Sequence, residues 1–119
     1  MKYLKLKIRT AMANTAVSVM DMDGELDIIS APDFAALLQD LFQQKRYKLV
    51  LNMKNLVYIS STGFGEIHSV IQEVKKNKGD IKFAHVNPDI YEVIEMLEFH
   101  KLFQIFKTED EAVREFSKK

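Results

Sequence analysis

A change of hydrophobic pattern at residues 60–65 constrains the fold more than any other feature of this chain. Residues 49–53 form a short apolar run that is typical of a strand buried on both faces. After residue 65 the apolar residues recur at helical spacing instead. Three hydroxyl residues, Ser60, Ser61 and Thr62, and two glycines, Gly63 and Gly65, separate the two patterns. The stretch therefore predicts a strand that leads into a hydroxyl-rich turn, where a helix begins with unpaired backbone N–H groups.

Strand-like and helix-like patterns alternate along the rest of the chain. Strands are predicted at residues 3–10, 16–22, 49–53, 81–86 and 103–106, and helices are predicted to begin near residues 30, 62, 87 and 108. We expect breaks at Asp23-Gly24 and at a polar turn, Lys54-Asn55. The order β, β, α, β, α, β, α, β, α predicts an α/β layered domain over residues 1–119, with a mostly parallel central sheet, an N-terminal antiparallel hairpin and four helices.

Caps and apolar stripes define these helices further. Ser30, Asn87 and Thr108 are predicted N-caps, the last in a capping box with Glu111. The second helix is predicted to bury Phe64, Ile67, Ile71 and Val74, and the third to bury Ile90, Val93, Ile94 and Leu97. The cluster Phe99, Leu102, Phe103 and Phe106 is interpreted as core rather than as a docking surface.

Composition excludes several classes of function. Seventeen basic residues balance seventeen acidic ones, which argues against a nucleic-acid-binding protein. The absence of cysteine removes disulfides, thiolate metal sites and cysteine nucleophiles, and fits a cytoplasmic location. His85 and His100 lie in separate elements without metal-ligand spacing, so no metal or cofactor is expected. No apolar run approaches the roughly 20 residues that cross a bilayer, so we expect no membrane insertion.

The hydroxyl residues admit two interpretations. One hydroxyl could cap the helix while the others face water; alternatively, they mark a binding site, because two glycines in a first helical turn cost about 1 kcal/mol each. His68 follows Ser61 by seven residues, so Ser61, Gly65, His68 and Gln72 share one strip of the helix. That strip faces a partner, or His68 is an ordinary half-exposed residue. A hydrolase built on Ser61 and His68 is a weaker hypothesis, because the segment lacks a G-x-S-x-G elbow.

Two motifs resemble a known family. The segment that begins at Asn52-Met53 and ends Ile59-Ser60-Ser61-Thr62-Gly63-Phe64-Gly65 resembles the signature of STAS domains, especially the bacterial anti-sigma factor antagonists, which reads roughly D-L-S-x-V-x-x-I-D-S-S/T-G-L-G. Upstream, Gly24-Glu25-Leu26-Asp27 resembles the G-x-L-D of that family, followed by a capped helix. The two motifs occur in the order typical of the family, and the order of elements agrees along essentially the whole chain.

The resemblance implies a non-enzymatic regulatory module with a STAS fold. It implies that a partner kinase, which is often the anti-sigma factor itself and is of the histidine-kinase-like ATPase type, phosphorylates Ser61, with Thr62 as the neighbouring alternative. The unphosphorylated domain would bind that partner and free the sigma factor, phosphorylation would release it, and a phosphatase would reverse the modification. The residues expected to contact the partner are Asp27, Asn52, Ser60, Ser61, Thr62, Gly63, Gly65 and His68.

Two departures from the family pattern leave an alternative open. Asn52 and Ser60 stand where the pattern has aspartate, so each position lacks the negative charge of the family residue. A STAS subunit that binds a transporter or a stress-signalling complex without being phosphorylated is therefore the alternative hypothesis. For Asp27, the alternative to partner contact is a local role as a turn or cap residue.

Overall fold

A computed structural model describes residues 3–118, in which five strands form one mixed sheet in the order β1-β2-β3-β4-β5. The strands are β1 (Leu4–Thr10), β2 (Val17–Leu26), β3 (Lys48–Ile59), β4 (Asp80–Ala84) and β5 (Ile105–Phe106). The helices are α1 (Ala31–Gln43), α2 (Ser61–Lys76), α3 (Pro88–Met96) and α4 (Glu109–Glu115), with a 3₁₀ turn at Phe99–Lys101. Strand β1 is antiparallel to β2, and the other pairs are parallel. The predicted α/β fold is confirmed.

Strand β3 is longer than predicted, and the turn expected at Lys54-Asn55 is wrong. Asp21 pairs with Asn52 but Asp23 pairs with Asn55, so β3 carries one extra residue at this point, and a second shift follows opposite Gly24 and Glu25. The Asn52 side chain accepts a hydrogen bond from the Lys54 backbone N–H at 3.0 Å within this bulge. The polar residues are thus absorbed by a β-bulge and do not end the strand. As a result β3 runs without interruption to Ile59, directly before the hydroxyl residues.

The break predicted at Asp23-Gly24 is also wrong, since β2 continues to Leu26. Gly24 has a φ of +118°, and a Cβ at this position would lie 1.7 Å from the carbonyl oxygen of Tyr3. Only glycine fits this close approach of two strands. Because β2 continues, Leu26 pairs with Ile59 and the two parallel strands end side by side.

The core lies on both faces of the sheet. Helices α1, α2 and α3 cover one face, where the predicted stripe of α2 (Phe64, Ile67, Ile71 and Val74) is buried as expected. Helix α4 covers the other face through Ala112 and Val113. On α3 only Ile90 and Ile94 are buried; Val93 and Leu97 are 38% and 46% exposed, so their predicted burial is wrong. Helix α3 is nine residues long and faces the sheet with the narrow Ile90–Ile94 stripe alone.

Two predicted caps are confirmed and one is wrong. Asn87 accepts a hydrogen bond from the Ile90 N–H at 2.9 Å, and Thr108 accepts one from the Glu111 N–H at 3.2 Å. Ser30 precedes α1, but its hydroxyl donates to the Glu25 carbonyl at 2.9 Å and makes no cap.

The predicted apolar cluster after α3 is only partly core. Phe99 and Phe103 are buried, and their rings lie 5.4 Å apart. Phe106 is half-buried, and Leu102 is 48% exposed, so the interpretation of Leu102 as core is wrong.

Candidate functional site

The hydroxyl residues divide their roles at the start of α2. Ser60 has the extended backbone of an N-cap, and its Oγ accepts a hydrogen bond from the Gly63 N–H at 3.2 Å. Its own N–H donates to the Leu26 carbonyl at 2.8 Å, which ties the start of the helix to the end of β2. Ser61 and Thr62, the first two residues of the helix, are exposed. Because Ser60 supplies the cap, the hydroxyls of Ser61 and Thr62 are available to solvent.

The two glycines of the first turns have different surroundings. Gly63 is buried, and a Cβ there would lie 2.7 Å from Leu26 Cγ and 3.0 Å from Ile59 Cγ2. Its lack of a side chain lets α2 start close against the ends of β2 and β3. Gly65 is exposed, and a Cβ there would meet no atom within 4 Å. Packing within the domain therefore accounts for Gly63 and leaves Gly65 unexplained.

Asp27 and two isoleucines form the loop beside the hydroxyls. The carboxylate of Asp27 accepts hydrogen bonds from the Ser30 and Ile29 N–H groups, both at 3.0 Å. The bond from the Ser30 N–H is the main cause that holds the pKa of Asp27 below its usual range, against the opposing effect of desolvation. This turn presents Ile28 and Ile29 to solvent with 72% and 75% of their surface exposed. These hydrogen bonds give Asp27 the local role of a turn residue. Asp27 lies at the same end of the sheet as Ser61.

Four exposed apolar residues at this end were not singled out from the sequence. Besides Ile28 and Ile29, Val57 and Tyr58 near the end of β3 are 49% and 51% exposed. The signal in the sequence was the pair of adjacent isoleucines in a polar loop. Neighbouring residues of a strand point to opposite faces, so a half-buried strand would bury only one of the two. We call the exposed residues Ser61, Thr62, Gly65, Ile28 and Ile29 the hydroxyl surface.

His68 and Gln72 are exposed on α2, as are Ser61 and Gly65, so the four residues share one open strip. The His68 ring lies 5.9 Å from the Phe99 ring, which packs against its exposed side chain. Seven residues of helix separate His68 from Ser61 by about 10 Å along the axis, because each residue rises about 1.5 Å. A nucleophile and its base must be within hydrogen-bond reach, so this pair does not form a hydrolytic dyad.

Asn52 lies away from the hydroxyl surface. Its Nδ2 donates to Glu109 Oε1 at 2.9 Å, on the face of the sheet that α4 covers. Asn52 pairs with Asp21 and Ile59 pairs with Leu26, so the two residues are five steps of β2 apart, roughly 17 Å along the sheet. The Arg9 guanidinium bonds Asp21 (2.7 and 2.9 Å) and Glu109, and hydrogen bonding to Arg9 is the main cause that lowers the pKa of Glu109. Asn52 therefore belongs to a polar network that holds α4 on the sheet.

Neither a metal cluster nor a spanning helix is found in the part of the chain that the structure describes. No group of three or more His, Asp or Glu side chains among residues 3–118 could hold a metal ion. No helix within these residues is both long and apolar enough to cross a membrane.

Comparison with known proteins identifies relatives of the whole domain. Residues 9–112 match the family model described as STAS domain. An anti-sigma F factor antagonist of Paenibacillus polymyxa is 25% identical over 100 residues, which cover 83% of this chain and 86% of the relative. The crystal structure of an anti-sigma factor antagonist from Mycobacterium paratuberculosis superposes with a TM-score of 0.86 at 18% identity, covering 98% of this chain and 96% of that one.

The fold is also that of a protein whose structure was determined with a phosphate attached. The Bacillus cell fate determinant SpoIIAA in its phosphorylated form has a TM-score of 0.70 at 19% identity, covering 96% of this chain and 99% of that chain.

Proposed function

The chain belongs to the STAS domain family, and from that premise we propose that it is an anti-sigma factor antagonist whose docking is switched at Ser61. In this proposal the unphosphorylated hydroxyl surface binds an anti-sigma factor, and a phosphate on Ser61 releases it. The observation that carries the proposal is the exposure of the Ser61 hydroxyl at the start of α2, next to a helix cap that does not use it. The name of the Paenibacillus relative supports the same class of function.

The apolar neighbours support a protein partner. Ile28 and Ile29 extend from the loop that follows β2, and β2 ends beside the strand that leads into Ser61. Exposed apolar residues grouped beside polar ones are typical of protein–protein contact surfaces. Gly65 adds room, because its open side lets a partner backbone approach α2 closely. The hydroxyl surface thus has an apolar part that provides contact and a hydroxyl that can be modified.

The charge change explains how the modification would act. A phosphate adds about −1.5 to −2 charges and three acceptor oxygens at pH 7. The start of α2 can accommodate that charge, since its first N–H groups lack intrahelical partners and the helix dipole is positive there. The fold would therefore survive the modification, while a partner surface that is complementary to a neutral hydroxyl would lose affinity. Ser60, in place of the aspartate of the family pattern, keeps the cap at this turn without a charge.

Phosphorylation with the cognate anti-sigma factor kinase and ATP, followed by peptide mass spectrometry, tests the proposal. We expect the label on Ser61 and its loss in Ser61→Ala. Ser69→Ala is the matched control, because Ser69 is also an exposed serine on α2 and should leave labelling unchanged. Label absent from both Ser61 and Thr62 would reject the switch and favour the alternative, an unphosphorylated STAS subunit of a larger complex.

A hydrolytic or small-ligand domain built on Ser61 is the competing hypothesis from a different class. Ser61 and His68 are separated by roughly 10 Å along α2, which is too far for a nucleophile and its base. Any esterase activity that survives in Ser61→Ala would exclude Ser61 as its nucleophile.

A further inference from the structure

The formal net charge of zero conceals a strongly basic end of the domain. Six of the seventeen basic residues of the chain lie in two short segments, 45–48 and 75–78, that contain no acidic residue. The segments are adjacent in space, since the Asp80 N–H donates to the Tyr47 carbonyl at 3.0 Å and Gly79 packs against Tyr47. We call this region, together with the loop 11–16, the basic end.

Four lysines of the basic end, Lys45, Lys48, Lys76 and Lys78, make no ion pair within residues 3–118. Lys45, Lys48 and Lys78 surround a recess, whereas the neighbouring Lys75 bonds Asp80 at 3.0 Å. Lysines at the ends of α1 and α2 also complement the helix dipoles, which accounts for part of this pattern. Lys48 is on a strand, however, and gains nothing from a helix dipole. Three cations on one small surface attract a polyanion.

A fully exposed methionine lies in the loop at this end of the domain. Met12 is 99% exposed in the loop that joins β1 to β2. This loop lies at the basic end, because Val17 pairs with Lys48, the Arg46 guanidinium donates to the Thr15 carbonyl at 3.0 Å, and Ala16 lines the recess with the lysines. An apolar side chain presented beside a group of lysines is the combination that binds anionic bilayers.

We propose that the basic end docks on the surface of an anionic lipid bilayer, with Met12 inserted among the headgroups and Lys45, Lys48 and Lys78 over the lipid charges. Nucleic acid is the less suitable occupant, because the aromatic residue of this end, Tyr47, stacks on Phe42 with ring centroids 5.3 Å apart, and that face of its ring is closed to a base.

The proposal also fixes an orientation. Lys48 and Ile59 are the two ends of β3 and pair with Val17 and Leu26, nine steps of β2 apart, which is roughly 30 Å at about 3.3 Å per residue. The longest dimension of the molecule is 39 Å, so the basic end and the hydroxyl surface lie at opposite ends. A domain docked through Met12 would present Ser61 away from the bilayer. This inference does not depend on the phosphorylation of Ser61.

Sedimentation of the whole chain with vesicles tests the charge part of the proposal. We expect binding to phosphatidylcholine vesicles that contain phosphatidylserine, none to phosphatidylcholine alone, and loss of binding as salt is added. Replacing Lys45, Lys48 and Lys78 together by Gln should lower the partition coefficient by about tenfold or more. The matched control replaces Lys5, Lys7 and Lys54, three exposed lysines elsewhere, and should retain binding. Absence of binding at low salt, or an equal loss in both triple variants, would overturn the proposal.

Tryptophan fluorescence tests the insertion and the orientation. The chain contains no tryptophan, so Met12→Trp introduces a single reporter, and Ile28→Trp provides a control at the opposite end in another exposed position. We expect a blue shift for Met12→Trp on vesicles containing phosphatidylserine and no shift for Ile28→Trp. A shift of Ile28→Trp, or an unshifted Met12→Trp on vesicles that bind the protein, would overturn the proposed docking.

Discussion

Alanine substitutions at Gly63 and Gly65 should change stability in opposite directions. Both glycines lie in the first turns of α2, where replacement by alanine contributes about 1 kcal/mol of helix propensity. At Gly65 nothing opposes this gain, because the added methyl group would meet no atom within 4 Å. We therefore expect Gly65→Ala to raise the free energy of unfolding by about 0.5–1 kcal/mol.

At Gly63 the same methyl group must displace buried side chains. It would lie 2.7 Å from Leu26 Cγ and 3.0 Å from both Leu26 Cδ2 and Ile59 Cγ2, and Leu26 is fully buried. Overpacking of this kind costs about 1–3 kcal/mol, which exceeds the gain in helix propensity. The net expectation for Gly63→Ala is a loss of about 1 kcal/mol.

Urea and thermal unfolding of the two variants provide the assay. The expected difference of about 1.5–2 kcal/mol between them corresponds to roughly 5–10 °C in Tm for a domain of this size. The comparison is internally controlled, since both changes add the same group to the same helix. Equal stabilisation by both substitutions would show that Leu26 and Ile59 yield easily, and would refute the idea that close packing against β2 and β3 requires glycine at 63.

Two further predictions concern the cap and the network under α4. Ser60→Ala should lower the free energy of unfolding in urea by about 1 kcal/mol, because the Gly63 N–H loses its acceptor. Ser61→Ala should change it by no more than about 0.5 kcal/mol. Equal effects of the two substitutions would contradict the division of roles between Ser60 and Ser61. Glu109 has a pKa lowered mainly by hydrogen bonding to Arg9, so its contribution to stability is complete above its unfolded pKa of about 4.5 and is lost as pH falls through the lower folded value. Glu109→Gln should therefore lower the free energy of unfolding at pH 7, and this loss should become smaller below about pH 4. The exposed Glu111→Gln should show neither effect. A loss of stability in Glu109→Gln that does not change with pH would contradict the argument.

The sequence was sufficient to predict helices, caps and the order of elements where the local pattern agrees with burial in the fold. The apolar residues of α2 from Phe64 to Val74 recur at helical spacing. That spacing places them on one face of the helix, which is the face buried against the sheet. The caps at Asn87 and Thr108 form because their acceptors need only the next turn of the same helix. The order of elements followed from the same local signals.

The errors arose where pairing between strands outweighed local preference. Lys54-Asn55 and Asp23-Gly24 have the composition of turns, yet bulges and one glycine keep both pairs within long strands. Val93 has the spacing of a core residue, but the short α3 has too narrow a contact with the sheet to bury it.

Part of the candidate site was also hidden in the sequence. The position of Ser61 and Thr62 at the start of a helix was predictable from the hydroxyl run and its glycines. Adjacent isoleucines in a polar loop indicated that one of Ile28 and Ile29 is exposed, but the exposure of both depends on the turn that Asp27 forms with Ser30. Asn52 is close to Ser60 in the motif but lies roughly 17 Å from the end of β3 in space, because the strand between them spans that distance along the sheet.

The affinity of the chain for the anti-sigma factor proposed as its partner, measured by titration calorimetry, tests the central claim most directly. Ser61→Ala, which keeps the surface neutral, should bind like the unmodified chain. Ser61→Asp, which places a charge at the same position, should bind at least about tenfold more weakly, a loss of about 1.4 kcal/mol. Equal affinity of the Ala and Asp variants would contradict a switch at Ser61.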